Sequence, residues 1–171
     1  MNMPRRTLDS DTYYHVYNRG YNKQTLFYKN HDYERFLNKL IDLKPAYKSL
    51  SIKCFCVLPN HFHLLLIDIA SENHPGMTIS KFMNRLQVAY ARYFSERYGS
   101  KLNPGLKSPV FEGRFKAKEV LDEAYLSQLV NYIEGNAVKH EIVSDIKHWP
   151  YTSWEPGKTF SLEKDFFADF D

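Results

Sequence analysis

The chain has 171 residues, 43% of them hydrophobic and 16% aromatic, which suits one domain with a real core and excludes a chain that is mainly disordered. No apolar run approaches the ~18 residues of a membrane span, and no apolar stretch follows the basic start Met1–Arg6 as a signal peptide requires. The formal net charge is +3. With Cys54 and Cys56 too close in sequence for a useful disulfide, these readings predict a cytoplasmic protein, with a folded domain over 1–154 and an acidic, aromatic tail over 155–171.

Thr12–Tyr21 is aromatic and β-branched and predicts a first strand ending near Gly20. Tyr33, Phe36, Leu37, Leu40, Ile41 and Leu43 recur at the spacing of an amphipathic helix, stopped near Pro45. Leu50–Leu58 alternates like a strand, Pro59-Asn60 is turn chemistry, and Phe62–Asp68 is the return strand of a hairpin. After a polar loop over 71–76, Thr78 caps a long helix to about Tyr98, with Ile79, Phe82, Met83, Leu86, Tyr90 and Phe94 on its inner face. Residues 99–109, with two glycines and two prolines, predict a loop. Phe115–Val120 predicts a strand, and Asp122 starts a helix through Leu126, Leu129, Val130 and Ile133. Irregular structure is expected from Trp149 onward.

The order β-α-β-β-α-β with one more helix predicts an α+β protein of the ferredoxin-like split βαβ type. Its antiparallel sheet would carry helices on one face. The other face would be open to a ligand or covered by the last helix. A hydrophobic edge at Thr12–Tyr17 or Phe115–Val120 could pair with a second copy. Cys54 and Cys56 share a strand face without the loop separation of a useful disulfide, and read as reduced thiols.

Charge is unevenly spread. Between Lys81 and Lys118 there are nine basic side chains against two acidic ones. Such a concentration favours a polyanionic partner, although a solvated basic face gives the same count. Tyr90 and Tyr93 lie within this segment and would be candidate nucleophiles by charge alone.

The run Val57-Leu58-Pro59-Asn60-His61-Phe62-His63-Leu64-Leu65-Leu66 sets two histidines one residue apart in an apolar strand. Side chains at i and i+2 share a strand face, roughly 7 Å apart at Cα. Two neutral imidazoles placed so can hold one divalent cation, and a further distant ligand would leave positions open for substrate. Two hydrogen-bonded histidines at a strand edge are the plainer reading of the same spacing.

Four segments taken together resemble the single-tyrosine HUH transposases, and most closely their REP-associated tyrosine transposase subgroup. They are Tyr14-His15-Val16-Tyr17-Asn18-Arg19-Gly20, the histidine run above, Phe111-Glu112-Gly113-Arg114-Phe115-Lys116, and Asn131-Tyr132-Ile133-Glu134-Gly135-Asn136-Ala137. The resemblance covers about 12–154. It implies a metal-dependent endonuclease and strand transferase acting on single-stranded, hairpin-containing DNA through a 5′-phosphotyrosine link. It also implies that the late helix of the ferredoxin-like domain carries the tyrosine. By position, Tyr132 becomes the nucleophile; His61, His63 and Asn136 become ligands to Mg²⁺ or Mn²⁺. The protein could act as a monomer or a homodimer. Tyr132 and Asn136, four apart, would be neighbours on one helix face. Arg19, Arg85, Arg114 and Lys116 are candidates for phosphate contacts, with Arg5 and Arg6 as a mobile arm.

Two departures stand out. Ala137 stands where the family often has proline, and Glu134-Gly135 replaces apolar or aromatic residues. Glu134 is expected to face solvent, and Gly135 to loosen the helix that carries Tyr132. Two other functions compete: a catalytically retired DNA-hairpin-binding protein, and an RNA-binding ferredoxin-like domain with aromatics exposed on its central strands.

Overall fold

The computed structural model describes residues 8–70, 78–102, 108–158 and 165–167. The expected loop over 71–76 and the arm with Arg5 and Arg6 lie outside them. Four strands, β1 (Tyr13–Arg19), β2 (Leu50–Leu58), β3 (His61–Asp68) and β4 (Lys116–Val120), form one antiparallel sheet in the order β2-β3-β1-β4. Helix α1 (Asn30–Leu43) joins β1 to β2, and α2 (Thr78–Leu102) joins β3 to β4. Two further helical segments follow, α3 (Glu123–Glu134) and α4 (Asn136–Lys139). This is the ferredoxin-like split βαβ topology.

The sheet has two covered faces because its strands alternate two apolar sets. Tyr14, Val16, Phe55, Val57, Phe62, Leu64 and Leu66 join the core built by Phe36 and Leu40 of α1 and Phe82, Leu86 and Tyr90 of α2. Cys54, Cys56, Leu58 and Leu65 face the other way, against Leu126, Leu129, Val130 and Ile133 of α3. The last helix therefore takes much of the face that an RNA-binding platform would need. Both cysteines are free and buried, and burial pushes the Cys56 thiol up to about 12.

Strand β2 is not uniform. Its pairing with β3 slips between Ile52 and Cys54, a bulge that leaves Ile52 and Phe55 facing the same core although they are an odd number of positions apart.

Asp32 fastens α1 to α2. Its buried carboxylate accepts the backbone N–H groups of Tyr28 and Lys29, each at 2.9 Å, which completes the start of α1. It also accepts the hydroxyls of Tyr93 at 2.5 Å and Tyr98 at 2.7 Å from α2. Burial alone raises this carboxyl, but the four hydrogen bonds outweigh it and hold it below the usual carboxylate range.

Two expectations need correction. The long helix runs through Gly99 to Leu102 rather than ending near Tyr98. A lone glycine costs a helix only about 1 kcal/mol, whereas Pro104 cannot continue one at all. Thr12–Tyr17 is no edge, because β1 lies between β3 and β4. The outer side of β2 is also occupied: Val57 N–H donates to Tyr151 O, Ser153 N–H to Phe55 O, and Phe166 N–H to Ile52 O. Asp165 adds an ion pair to Lys44 at 2.9 Å, so residues 165–167 of the acidic tail lie against the sheet.

Candidate active site

The histidine run begins β3, and β1 ends beside it, with Arg19 opposite His61 and Tyr17 opposite His63. His15, Tyr17, His61 and His63 thus share the α3 side of the sheet. The Phe111–Arg114 segment closes on the same end: Gly20 bridges Phe111, Glu112 N–H donates to Arg19 O, and Asn18 Nδ2 donates to Gly113 O. At Gly20 a Cβ would collide with the Gln24 carbonyl oxygen, so only glycine allows this close turn.

His61 and His63 stand with ring centroids 5.2 Å apart. Asn60 Nδ2 donates to Lys23 O at 3.3 Å, which turns its Oδ1 toward His61 Nδ1, 2.6 Å away. An amide oxygen only accepts, so Nδ1 carries the His61 proton and Nε2 keeps its lone pair. His63 Nδ1 lies 2.8 Å from His15 Nε2. One proton serves that contact, and only when His63 Nδ1 donates it is His63 Nε2 left with a lone pair. Burial holds all three imidazoles neutral at pH 7, His15 and His61 down to about 4 and His63 to about 2. Lys118 adds to the effect on His15, and neighbouring histidines to that on His61 and His63.

The Tyr132 ring stands 6.0 Å from His63 and 6.1 Å from His15, edge-on to both. It is 39% exposed, and Lys139 Nζ lies 4.2 Å above it. Tyr90 and Tyr93 sit on the opposite side of the sheet. Their hydroxyls are given to Leu26 O and Asp32, and burial raises both phenols well above 10.

The helix does not run unbroken from Tyr132 to Asn136 as expected; it breaks at Gly135 into α3 and α4. A Cβ on Gly135 would sit 2.9 Å from Asn131 O, so glycine permits the tight join. Asn136 Nδ2 donates to Tyr132 O at 2.6 Å across the break. Its Oδ1 is buried without a partner. Glu134 does not point freely to solvent; Ser153 Oγ donates to its carboxylate at 2.6 Å and ties α3 to the C-terminal segment.

The orphaned Asn136 Oδ1 and the two free imidazole lone pairs form a donor set that fits a divalent cation. Among the described residues no three His, Cys, Asp or Glu side chains group to hold a metal, so the amide oxygen is needed in such a set.

A cleft of about 350 Å³ opens beside His61, lined by Tyr17, Arg19, Lys23, Glu112, Lys116 and His140 among others. Arg19 and Lys116 therefore meet the histidines. Arg114 is exposed outside the lining, and Arg85 lies across the sheet on α2. Arg19 is not free: its guanidinium donates from Nε and Nη2 to both carboxylate oxygens of Glu112. Sequence reasoning missed the roles of His15, Glu112 and His140. His140 stands four residues beyond Asn136 and 5.0 Å ring-to-ring from His61, so helical spacing could have flagged it.

The sequence profile described as "Transposase IS200 like" matches residues 9–136, from before β1 through Asn136. The chain belongs to the IS200-like transposase family. Along 103 residues this chain is 27% identical to a protein of Haemophilus influenzae described as a REP-associated tyrosine transposase. That match covers 58% of the chain but only 56% of the relative, about half its length. The chain also shares its fold with a solved REP-associated tyrosine transposase bound to a REP hairpin, at a TM-score of 0.64 and 19% identity, over 90% of this chain and 82% of that one. A tRNA(His) guanylyltransferase from Saccharomyces cerevisiae superposes at a TM-score of 0.52 and 11% identity, over 82% of this chain and 65% of its own. One sheet architecture thus carries different chemistries, and function rests on the site.

Proposed function

We propose that this transposase nicks and rejoins single-stranded DNA beside a hairpin, with Tyr132 as its nucleophile. The observation that carries the reading is the half-exposed Tyr132 phenol edge-on to the buried His63, next to the His61 that lines a cleft with Arg19 and Lys116, and with the unpartnered Asn136 amide oxygen one turn further along the chain. The hairpin-bound neighbour and the relative described as REP-associated support hairpin DNA as the partner.

In this reading the Tyr132 oxygen attacks the scissile phosphorus, the phenol gives up its proton, and the bond to the 3′ oxygen breaks. The 3′ oxygen takes up a proton and leaves as a hydroxyl, while the 5′ phosphate stays on tyrosine. The ester conserves the bond, so another 3′-hydroxyl can reverse the step. His61 Nε2, His63 Nε2 and Asn136 Oδ1 would hold Mg²⁺ or Mn²⁺, whose Lewis acidity would draw charge from the phosphoryl oxygens. Arg19 and Lys116 orient the strand by its phosphates. Lys139 lies over the Tyr132 ring, where its charge can meet the phosphate that the phenol attacks.

The test is a covalent adduct on denaturing gels, formed with end-labelled hairpin DNA and Mn²⁺. Wild type should form it; Tyr132→Phe and His61→Ala should not. An adduct that survives Tyr132→Phe removes that residue as nucleophile. Hairpin binding with no adduct under any metal favours the catalytically retired binding protein.

A further inference from the structure

Arg85 was expected beside the other phosphate-binding cations, yet the sheet separates it from them. It lies with Arg35, Lys39 and Arg92 along a groove of about 550 Å³ between α1 and α2. Asn84 and the half-exposed Val88 complete the floor. No carboxylate lines the groove, and none of the four cations pairs with an acidic group among the described residues. Arg19 and Lys44, in contrast, are both neutralised by acids. Four uncompensated charges in one concave strip repel one another, and a polyanion relieves that repulsion.

The groove offers charge without stacking. The Arg85 guanidinium covers the Tyr47 ring at 5.8 Å and Arg35 covers Tyr93 at 5.7 Å. Tyr90 is buried. Unpaired bases need open aromatic faces, and none is presented here. A base-paired backbone needs only phosphate contacts.

We infer that the α1–α2 groove binds the phosphate backbone of the base-paired stem of a DNA hairpin, while the cleft at the histidines takes its unpaired flank. This rests on the proposed hairpin substrate, but its test does not use the cutting reaction. The full chain is titrated in fluorescence anisotropy with two labelled DNAs, a short blunt duplex and an unpaired strand. The double variant Arg85→Gln/Arg92→Gln should weaken duplex binding about tenfold at moderate salt. It should also flatten the dependence of log K on log salt by about 2, one per lost phosphate contact. Unpaired-strand affinity should stay within about twofold, and Arg85→Lys/Arg92→Lys should restore duplex binding. Both sites are on exposed helix positions, so the fold should be kept, as circular dichroism can verify.

Unchanged duplex affinity in the double variant would overturn the inference. Equal losses for both DNAs would also overturn it, leaving only net charge. Wild type that forms no covalent adduct but loses duplex binding in the variant would sink the nicking reaction and leave the groove standing.

Discussion

His15 Nε2 meets His63 Nδ1 at 2.8 Å, so a histidine of the central strand β1 occupies one of the two nitrogens of a candidate metal ligand. When His63 Nδ1 donates in this contact, His63 Nε2 keeps its lone pair and the ring plane is fixed. If His63 holds a cation, His15→Leu should weaken Mn²⁺ binding roughly 10- to 100-fold by titration calorimetry. His15→Gln, whose amide oxygen can accept the same proton, should recover much of it. Equal affinity in His15→Leu and wild type would show that the ring is held without its partner.

The buried histidines also predict how stability depends on pH. Folded His15 and His63 titrate near 4 and 2, whereas unfolded histidines titrate near 6.5. Below 6.5 the unfolded chain binds protons that the native state refuses, so stability falls as pH falls. In the presence of chelator, urea unfolding should show a loss on the order of 2 kcal/mol for each of these two histidines between pH 7 and 5. His63→Gln should flatten that profile; a flat wild-type profile would mean that the folded imidazoles take up protons as readily as unfolded ones.

Glu112 competes with DNA for Arg19. Glu112→Gln releases the guanidinium and removes a like charge from the path of phosphate. Affinity for unpaired DNA should rise about threefold or more at low salt, with a steeper salt dependence. A fall in affinity would show that Glu112 orients Arg19 rather than withholding it.

Asp32→Asn removes a charged acceptor shared by four donors across α1 and α2. The cost should be about 2–3 kcal/mol in urea unfolding. The acid-side loss should also shrink, because this carboxylate's contribution is present above its unfolded pKa and is lost as pH falls through its lower folded one.

Gly135→Ala should disturb the site more than the fold. The added Cβ presses on Asn131 O, a backbone atom one turn earlier, and must move α4 relative to α3. Stability should drop by only about 1 kcal/mol, yet Mn²⁺ affinity and adduct yield should fall together. Full activity would mean that Asn136 tolerates the shift.

Elements with a clear apolar period were legible from residues alone. β2 occupies the expected Leu50–Leu58, and α1 buries the expected Tyr33, Phe36, Leu40 and Leu43. Properties set between elements were not. Nothing local in Thr12–Tyr17 says that β1 lies inside the sheet, because crossovers decide strand order. His61 and His63 declared themselves by spacing, but His15 joins them across strands, 48 positions away. The charge count over 81–118 could not say that Arg85 and Lys116 stand on opposite layers, since it ignores direction.

The slip between Ile52 and Cys54 gives β2 one residue more than its alternation needs. Residues before it and after it point inward on opposite parity, odd against even. Removing Lys53 alone would restore plain alternation, with Ile52, Phe55 and Val57 still in the aromatic core and Cys54 and Cys56 still toward α3, and only the bulge would be lost. A segment exchanged into this strand from a related transposase can therefore lack a residue at position 53 and still present the same side chains to each face.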